Sequence, residues 1–173
     1  MIKRGVLNKR GQEVFGMSFG MIFAIFVIIT LIAVAFYVIS YFLDLGKCTD
    51  VGLFYDDLQG QVNKAWTGGA SSVSYSGKLP SGVEFVCFGN LSSTALNKED
   101  ETIRKELFYS SVRDDMNSYL YPQTSACSGG IKFYNIQHIK TIGFFCSAVQ
   151  DGKIKIKIEK NVTEALVGLR NDS

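Results

Sequence analysis

Thirty consecutive residues, Val14 to Leu43, carry no charge, and Lys3, Arg4, Lys9 and Arg10 stand just before them. No other feature narrows the fold as far. About twenty apolar residues cross a bilayer as a helix, and thirty reach roughly 45 Å at the helical rise. A cleaved secretory signal is the rival reading. Its apolar region is about 7–15 residues and ends in a small-x-small site. This run is longer, and Tyr41-Phe42-Leu43 is a poor cleavage site. The sequence therefore predicts a retained transmembrane helix.

The flanks predict its direction. After the run come Lys47 and Lys64, but also Asp44, Asp50, Asp56 and Asp57. Basic residues stay on the cytoplasmic side, so the N-terminus is expected inside and the C-terminal domain outside. The formal charge is +2, and the four early cations account for +4 of it, so residues 12–173 carry 14 Lys/Arg against 16 Asp/Glu, or −2. That balance offers no field for nucleic acid. About 125 residues remain beyond the helix, enough for one compact domain with a core.

Cys48, Cys87, Cys127 and Cys146 all fall in the predicted exported part. An even number there points to disulfides, in any of three connectivities. Zinc competes poorly, because no C-x-x-C pair occurs and His138 is the sole histidine. Buried free thiols are the plain alternative. Asn90-Leu-Ser, Asn161-Val-Thr and Asn171-Asp-Ser are candidate glycosylation sequons on the same side.

Within the apolar run, Gly16, Gly20 and Ala24 recur every fourth position and share one helix face. Two readings stand: a helix-packing face, or the ordinary abundance of glycine in membrane helices. Tyr37 and Tyr41 fit an interfacial aromatic belt. The helix is predicted to continue. Val51, Phe54, Tyr55, Leu58, Val62 and Trp66 form one apolar stripe, with Asp50, Asp57, Gln61 and Lys64 opposite. Gly46, Gly52 and Gly60 weaken this continuation, and Gly68-Gly69 ends it.

The stripe needs an apolar partner, and a β-rich head supplies one. Residues 73–75 and 83–88 read as a hairpin joined through Lys78–Gly82. Residues 97–120 read as a helix capped by Asn97, burying Ile103, Leu107, Phe108, Val112, Met116 and Leu120, and stopped by Pro122. Residues 131–138 and 142–149 read as strands. Gln150-Asp151-Gly152 is a hairpin turn. Ile154, Ile156 and Ile158 then alternate with lysines, as on an exposed or edge strand. The tail reads as helical around Ala165–Leu169. The fold class is thus α+β. Residues 1–13 are a cytoplasmic basic leader, 14–43 the transmembrane helix, 44–67 its amphipathic half, and 68–173 a mainly antiparallel head with one further helix.

No catalytic constellation emerges. His138 lacks evident partners, no G-x-S-x-G occurs, and Asp56-Asp57 and Asp114-Asp115 read as solvated faces. No calcium loop or phosphate loop is present. The sequence thus predicts no enzyme, no metal and no cofactor. Trp66 and the many Phe and Tyr residues read as core before they read as a sugar or protein contact.

One local motif carries a family resemblance. Lys9-Arg10-Gly11-Gln12 is similar to the processing site of archaeal type IV pilins and other class III signal proteins. The resemblance implies removal of residues 1–11, Gln12 as the new N-terminus, and a retained apolar helix that bundles with copies of itself or related subunits. The long helix on a β-rich head is similar to that family's architecture. The chain departs from the pattern at Gly16, where pilins commonly place a glutamate; Glu13 stands nearby. The resemblance implies a structural subunit of a surface filament. The alternative class is a membrane-anchored extracytoplasmic binding domain or accessory subunit of a membrane complex.

Overall fold

The computed structural model describes residues 12–110, 115–126 and 131–172. Helix α1 runs Gln12–Thr67. The chain divides into two units, up to Leu43 and from Asp44 onward, and each is described by itself. In the first, every described residue from Phe19 to Leu43 is solvent-exposed.

The second unit is an α+β head. After α1 come β1 (Ser71–Lys78), β2 (Phe85–Phe88), α2 (Lys98–Ser110), β3 (Ser118–Tyr121) and the short α3 (Gln123–Ala126). Then follow β4 (Phe133–Tyr134), β5 (Ile139–Lys140), β6 (Phe145–Ala148), β7 (Lys153–Lys160) and β8 (Val167–Asn171). Two four-stranded sheets result, ordered β1-β7-β8-β5 and β4-β3-β2-β6. All pairings are antiparallel except β5 with β8.

The α1 stripe is the centre of the main core. Val51, Phe54, Tyr55, Leu58 and Val62 are buried with Ile154, Ile156 and Ile158 of the first sheet and Val86, Phe88, Leu120 and Phe145 of the second. Period-3.6 spacing on the helix meets period-2 spacing on the strands, so one helix covers the inner faces of both sheets. A second cluster lies on the other side of β2, β3 and β6. There Ile103 and Leu107 of α2 meet Cys87, Tyr119, Phe144 and Cys146. The helix ends as its glycines predict: the Gly68 amide donates to Lys64 O, and Gly69 takes φ 82°.

Several sequence expectations are corrected. The hairpin of 73–75 with 83–88 does not form. β1 pairs with β7, while β2 pairs with β3 and β6, so the Lys78–Gly82 connection passes from one sheet to the other. Of the helix predicted over 97–120, the described part runs Lys98–Ser110, and Leu120 is buried in a strand instead. Its apolar spacing fits both periods, and pairing with Val86 decides for the strand. Phe108 is exposed, and Val112 lies outside the described residues. The strand expected over 131–138 shrinks to Phe133–Tyr134, and that expected over 142–149 to Phe145–Ala148.

The Asp151-Gly152 turn forms with positive φ at both residues, 51° and 69°. The hairpin closes only through a Gln150–Lys153 bridge, because β6 and β7 belong to different sheets. β7 is no edge: β1 and β8 flank it, and its lysines point from a central strand. Ala165–Leu169 is not helical; Val167 begins β8, paired with Ile139 of β5 while Leu169 pairs with Ile158 of β7, and both are buried.

Asn97 caps α2 as predicted. Its Oδ1 accepts the Asp100 amide at 2.8 Å, and Glu99, Asp100 and Glu101 occupy the positive first turn. Asn97→Ala should lower head stability by about 1 kcal/mol, and Asn97→Asp should retain most of it. Thermal melts of the two variants check this.

Candidate functional site

The apolar half of α1 is built without an intrachain partner. Its large apolar side chains stay between 38% exposed (Val27) and 74% exposed (Phe19, Tyr37). A helix apolar on every side belongs in lipid or among other helices. Its Thr30 and Ser40 hydroxyls are already satisfied within the helix. Thr30 Oγ1 donates to Phe26 O and Ser40 Oγ to Phe36 O, each at 2.9 Å. Such back-bonding removes the cost of a bare hydroxyl in hydrocarbon. It is the one described helix long and apolar enough to cross a membrane. With the disulfide-bonded head, this is compatible with a single-pass membrane protein.

Of the predicted packing face, Gly20 is fully open: a Cβ added there meets nothing within 4 Å. Ala24 is exposed on the same helix. Gly16 and Gln12 fall within α1, but their surroundings, like Gly11 altogether, lie outside the described residues.

Cysteine chemistry resolves in favour of disulfides. Cys87 and Cys146 are bonded, and they are also directly opposed across the β2–β6 pair. Cys48 is disulfide-bonded too, no described cysteine is free, and Cys127 lies outside the described residues. The bridge closes a 59-residue separation beneath α2. Asp100 of α2 is buried beside it, and its Oδ1 accepts the Cys146 amide at 3.3 Å. Burial holds the Asp100 carboxyl above its ordinary range, against the lowering effect of that amide. Reduction should lower head stability by about 2–4 kcal/mol for this bridge. Melting with and without reductant, with mass-mapped alkylation of Cys87 and Cys146, checks it. Alkylation of both without reductant would contradict the bridge.

The sequons separate by environment. Asn90 is exposed in a turn, and its Oδ1 accepts the Ser92 amide at 2.8 Å. Asn161, Val162 and Thr163 are all exposed in the loop after β7. Asn171 sits in β8, with its Oδ1 holding Ser147 Oγ at 3.0 Å.

Sequence reasoning missed how α1 grips the segment before β5. His138 is not in a strand but in a turn, at φ 64°. Its ring stacks on Trp66 with centroids 3.8 Å apart and planes 5° apart. Trp66 Nε1 donates to Ala165 O at 3.1 Å, and the Val167 amide donates to His138 O at 2.9 Å. Gln59 matches the backbone of Gln137, its Oε1 accepting the amide at 2.8 Å and its Nε2 donating to the carbonyl at 3.4 Å. Asn117 does the same for Ile136, at 2.8 Å each way. These contacts give both rings and both amides a structural task. No signal in the sequence links Trp66 to His138.

Among the described residues, no group of three or more His, Cys, Asp or Glu side chains is placed to hold a metal ion. Two clefts of about 500 Å³ each open on the head, one lined by Ser147, Asp151, Lys153 and Asn171, the other by Ser92–Lys98 with Arg104. Arg104 is committed there to Glu101 at 2.8 Å, and that ion pair holds the Glu101 carboxyl below its usual range.

No family model, curated protein or solved structure matches this chain.

Proposed function

We propose that this chain is a pilin-like structural subunit. Its N-terminus faces the cytoplasm, its head lies outside the cell, and its apolar helix assembles with copies of itself in a surface filament. The observation that carries the reading is the division of labour along α1. One helix supplies the central core stripe of the head from Val51 to Val62 and leaves every side bare from Phe19 to Leu43. A tether needs only lipid contact along that bare half. An assembly helix also needs a place for close approach, and Gly20 leaves one open. The Lys9-Arg10-Gly11-Gln12 motif supports the same reading.

The test is the N-terminus of the native protein, read by intact mass and terminal sequencing. The filament reading expects Gln12, and Gly11→Val should block processing and leave the precursor in the membrane. An intact Met1 in mature protein at the cell surface points instead to a permanently anchored domain. Gly20→Leu should also weaken oligomers extracted in mild detergent; unchanged oligomers would make that face lipid-facing only.

A further inference from the structure

The head presents two uncovered faces of opposite charge. One is the outer face of the β1-β7-β8-β5 sheet. Its inner side chains, Ile154, Ile156 and Ile158, are buried against α1. Their neighbours Lys153 and Lys155 are exposed, Lys157 is half-buried, and Arg170 of β8 stands beside them, exposed. Ser72, Ser74 and Ser76 of β1 border this face, where Ser74 donates to Asp172, so the cations there outnumber the acids Glu159 and Asp172 without being alone. The strand register sets cations against cations: Lys78 opposes Lys153, and Lys157 opposes Arg170. Like charges directly opposed weaken a sheet. Glu159 relieves the second pair, at 2.9 Å from Lys157 Nζ and 3.5 Å from Arg170 Nε. Lys153 and Lys155 make no ion pair among the described residues.

The other face is the outward side of α1 within the head. Asp50 and Asp57 are seven residues apart and so nearly in line, and Asp56 lies further round the same side. All three are exposed. Leu53 stands among them, 62% exposed and off the buried stripe of Val51, Phe54, Tyr55 and Leu58. The two faces are distinct surfaces that meet at Lys78, which lines a cleft with Asp50, Leu53 and Asp57.

We propose that these two faces dock between copies of this chain, the Asp50/Asp56/Asp57 face of one head on the Lys153/Lys155/Lys157 face of the next. Charge complementarity selects the partner, and Leu53 supplies an apolar centre that lands on the serine border. Two different faces make a heterologous contact, which continues from copy to copy into a ring or an open filament instead of closing as a two-fold dimer does. The inference rests on the filament reading and adds a contact between heads to the contact between helices.

The test uses the full chain in native membranes. A 1:1 mixture of isotopically light and heavy copies is treated with a zero-length carbodiimide, and mixed-isotope lysine–aspartate peptides are mapped by mass. Links from Lys153 or Lys155 to Asp56 or Asp57 are expected, falling with added salt. K153E/K155E alone, or D56K/D57K alone, should lower the oligomer extracted in mild detergent without cross-linker roughly tenfold, since each brings like charges together. The four substitutions in one chain restore opposite signs and should restore the oligomer. Retained melting temperature and an intact Cys87–Cys146 bridge show that each variant folds. Oligomers that persist unchanged in both two-site variants, without these links, overturn the docking and leave the helix-based filament standing. Membranes with no oligomer of the unaltered chain overturn both.

Discussion

Leu58→Ala lowers the stability of the head by about 3 kcal/mol, whereas Leu53→Ala changes it by less than about 0.5 kcal/mol. The two leucines sit five residues apart on one helix, so intrinsic propensity and chemistry are the same. Their surroundings differ. Leu58 is fully buried in the main core, and Leu53 is 62% exposed. Truncating Leu58 removes apolar area from the contact of α1 with both sheets and leaves a cavity that close-packed neighbours refill only in part. For a head of this size the loss corresponds to a fall in melting temperature of about 10 °C. Near-UV circular dichroism of the full chain in detergent reads it. Equal effects at the two positions would contradict the placement of the stripe.

The same helix shows how far the sequence could be read. The stripe Val51, Phe54, Tyr55, Leu58, Val62 and Trp66 was legible from helical spacing with charges opposite; the first five are buried, whereas Trp66 is 40% exposed and stacks on His138 instead. Ile154, Ile156 and Ile158 were legible by the same logic at period two. What period cannot supply is the partner of each strand. Residues 73–75 and 83–88 carry ordinary hairpin signals, yet they enter different sheets, because long-range pairing of Tyr75 with Ile156 and of Val86 with Leu120 outweighs proximity in sequence. Leu120 was misplaced for a related reason. It continues the spacing of Ile103 and Leu107, and only its register opposite Val86 reveals a strand.

The candidate site divides likewise. The bare apolar helix follows from composition alone. The oxidised state of Cys87 and Cys146 follows from compartment, but their pairing needs the β2–β6 register. The cationic sheet face was visible as alternating lysines, a pattern that suits an exposed or an edge strand alike. Its opposed cations at Lys78 and Lys153 are a property of two strands, 75 residues apart, that no local pattern joins.

Gly89→Ala should be the most damaging single-methyl change in the head. Gly89 ends β2 at φ 121°, where an L side chain is strained, and its added Cβ would lie 2.6 Å from Gly143 O and 3.0 Å from Phe144 Cα. Both neighbours are backbone and are themselves fixed. The Phe144 amide donates to Thr94 O, and the Leu96 amide donates back to Phe144 O, each at 3.0 Å. Gly143 cannot retreat, because a Cβ on it would lie 2.6 Å from Thr94 O, so three backbone segments are stacked at contact distance. The strained φ alone costs about 1–3 kcal/mol, and displacement of β6 adds to it by pulling at Phe145 and Cys146, the partners of Phe88 and Cys87. A loss of about 4 kcal/mol or more is expected, enough to unfold a domain of ordinary stability. Gly60→Ala is the matching control. It adds the same methyl to the exterior of α1, where a Cβ meets nothing within 4 Å. There alanine should stabilise the helix by up to about 1 kcal/mol. Opposite signs at Gly89 and Gly60, read from paired denaturant melts, are the expected result, and a neutral Gly89→Ala would show that the crossing of β2 over the 143–144 backbone is looser than its geometry requires.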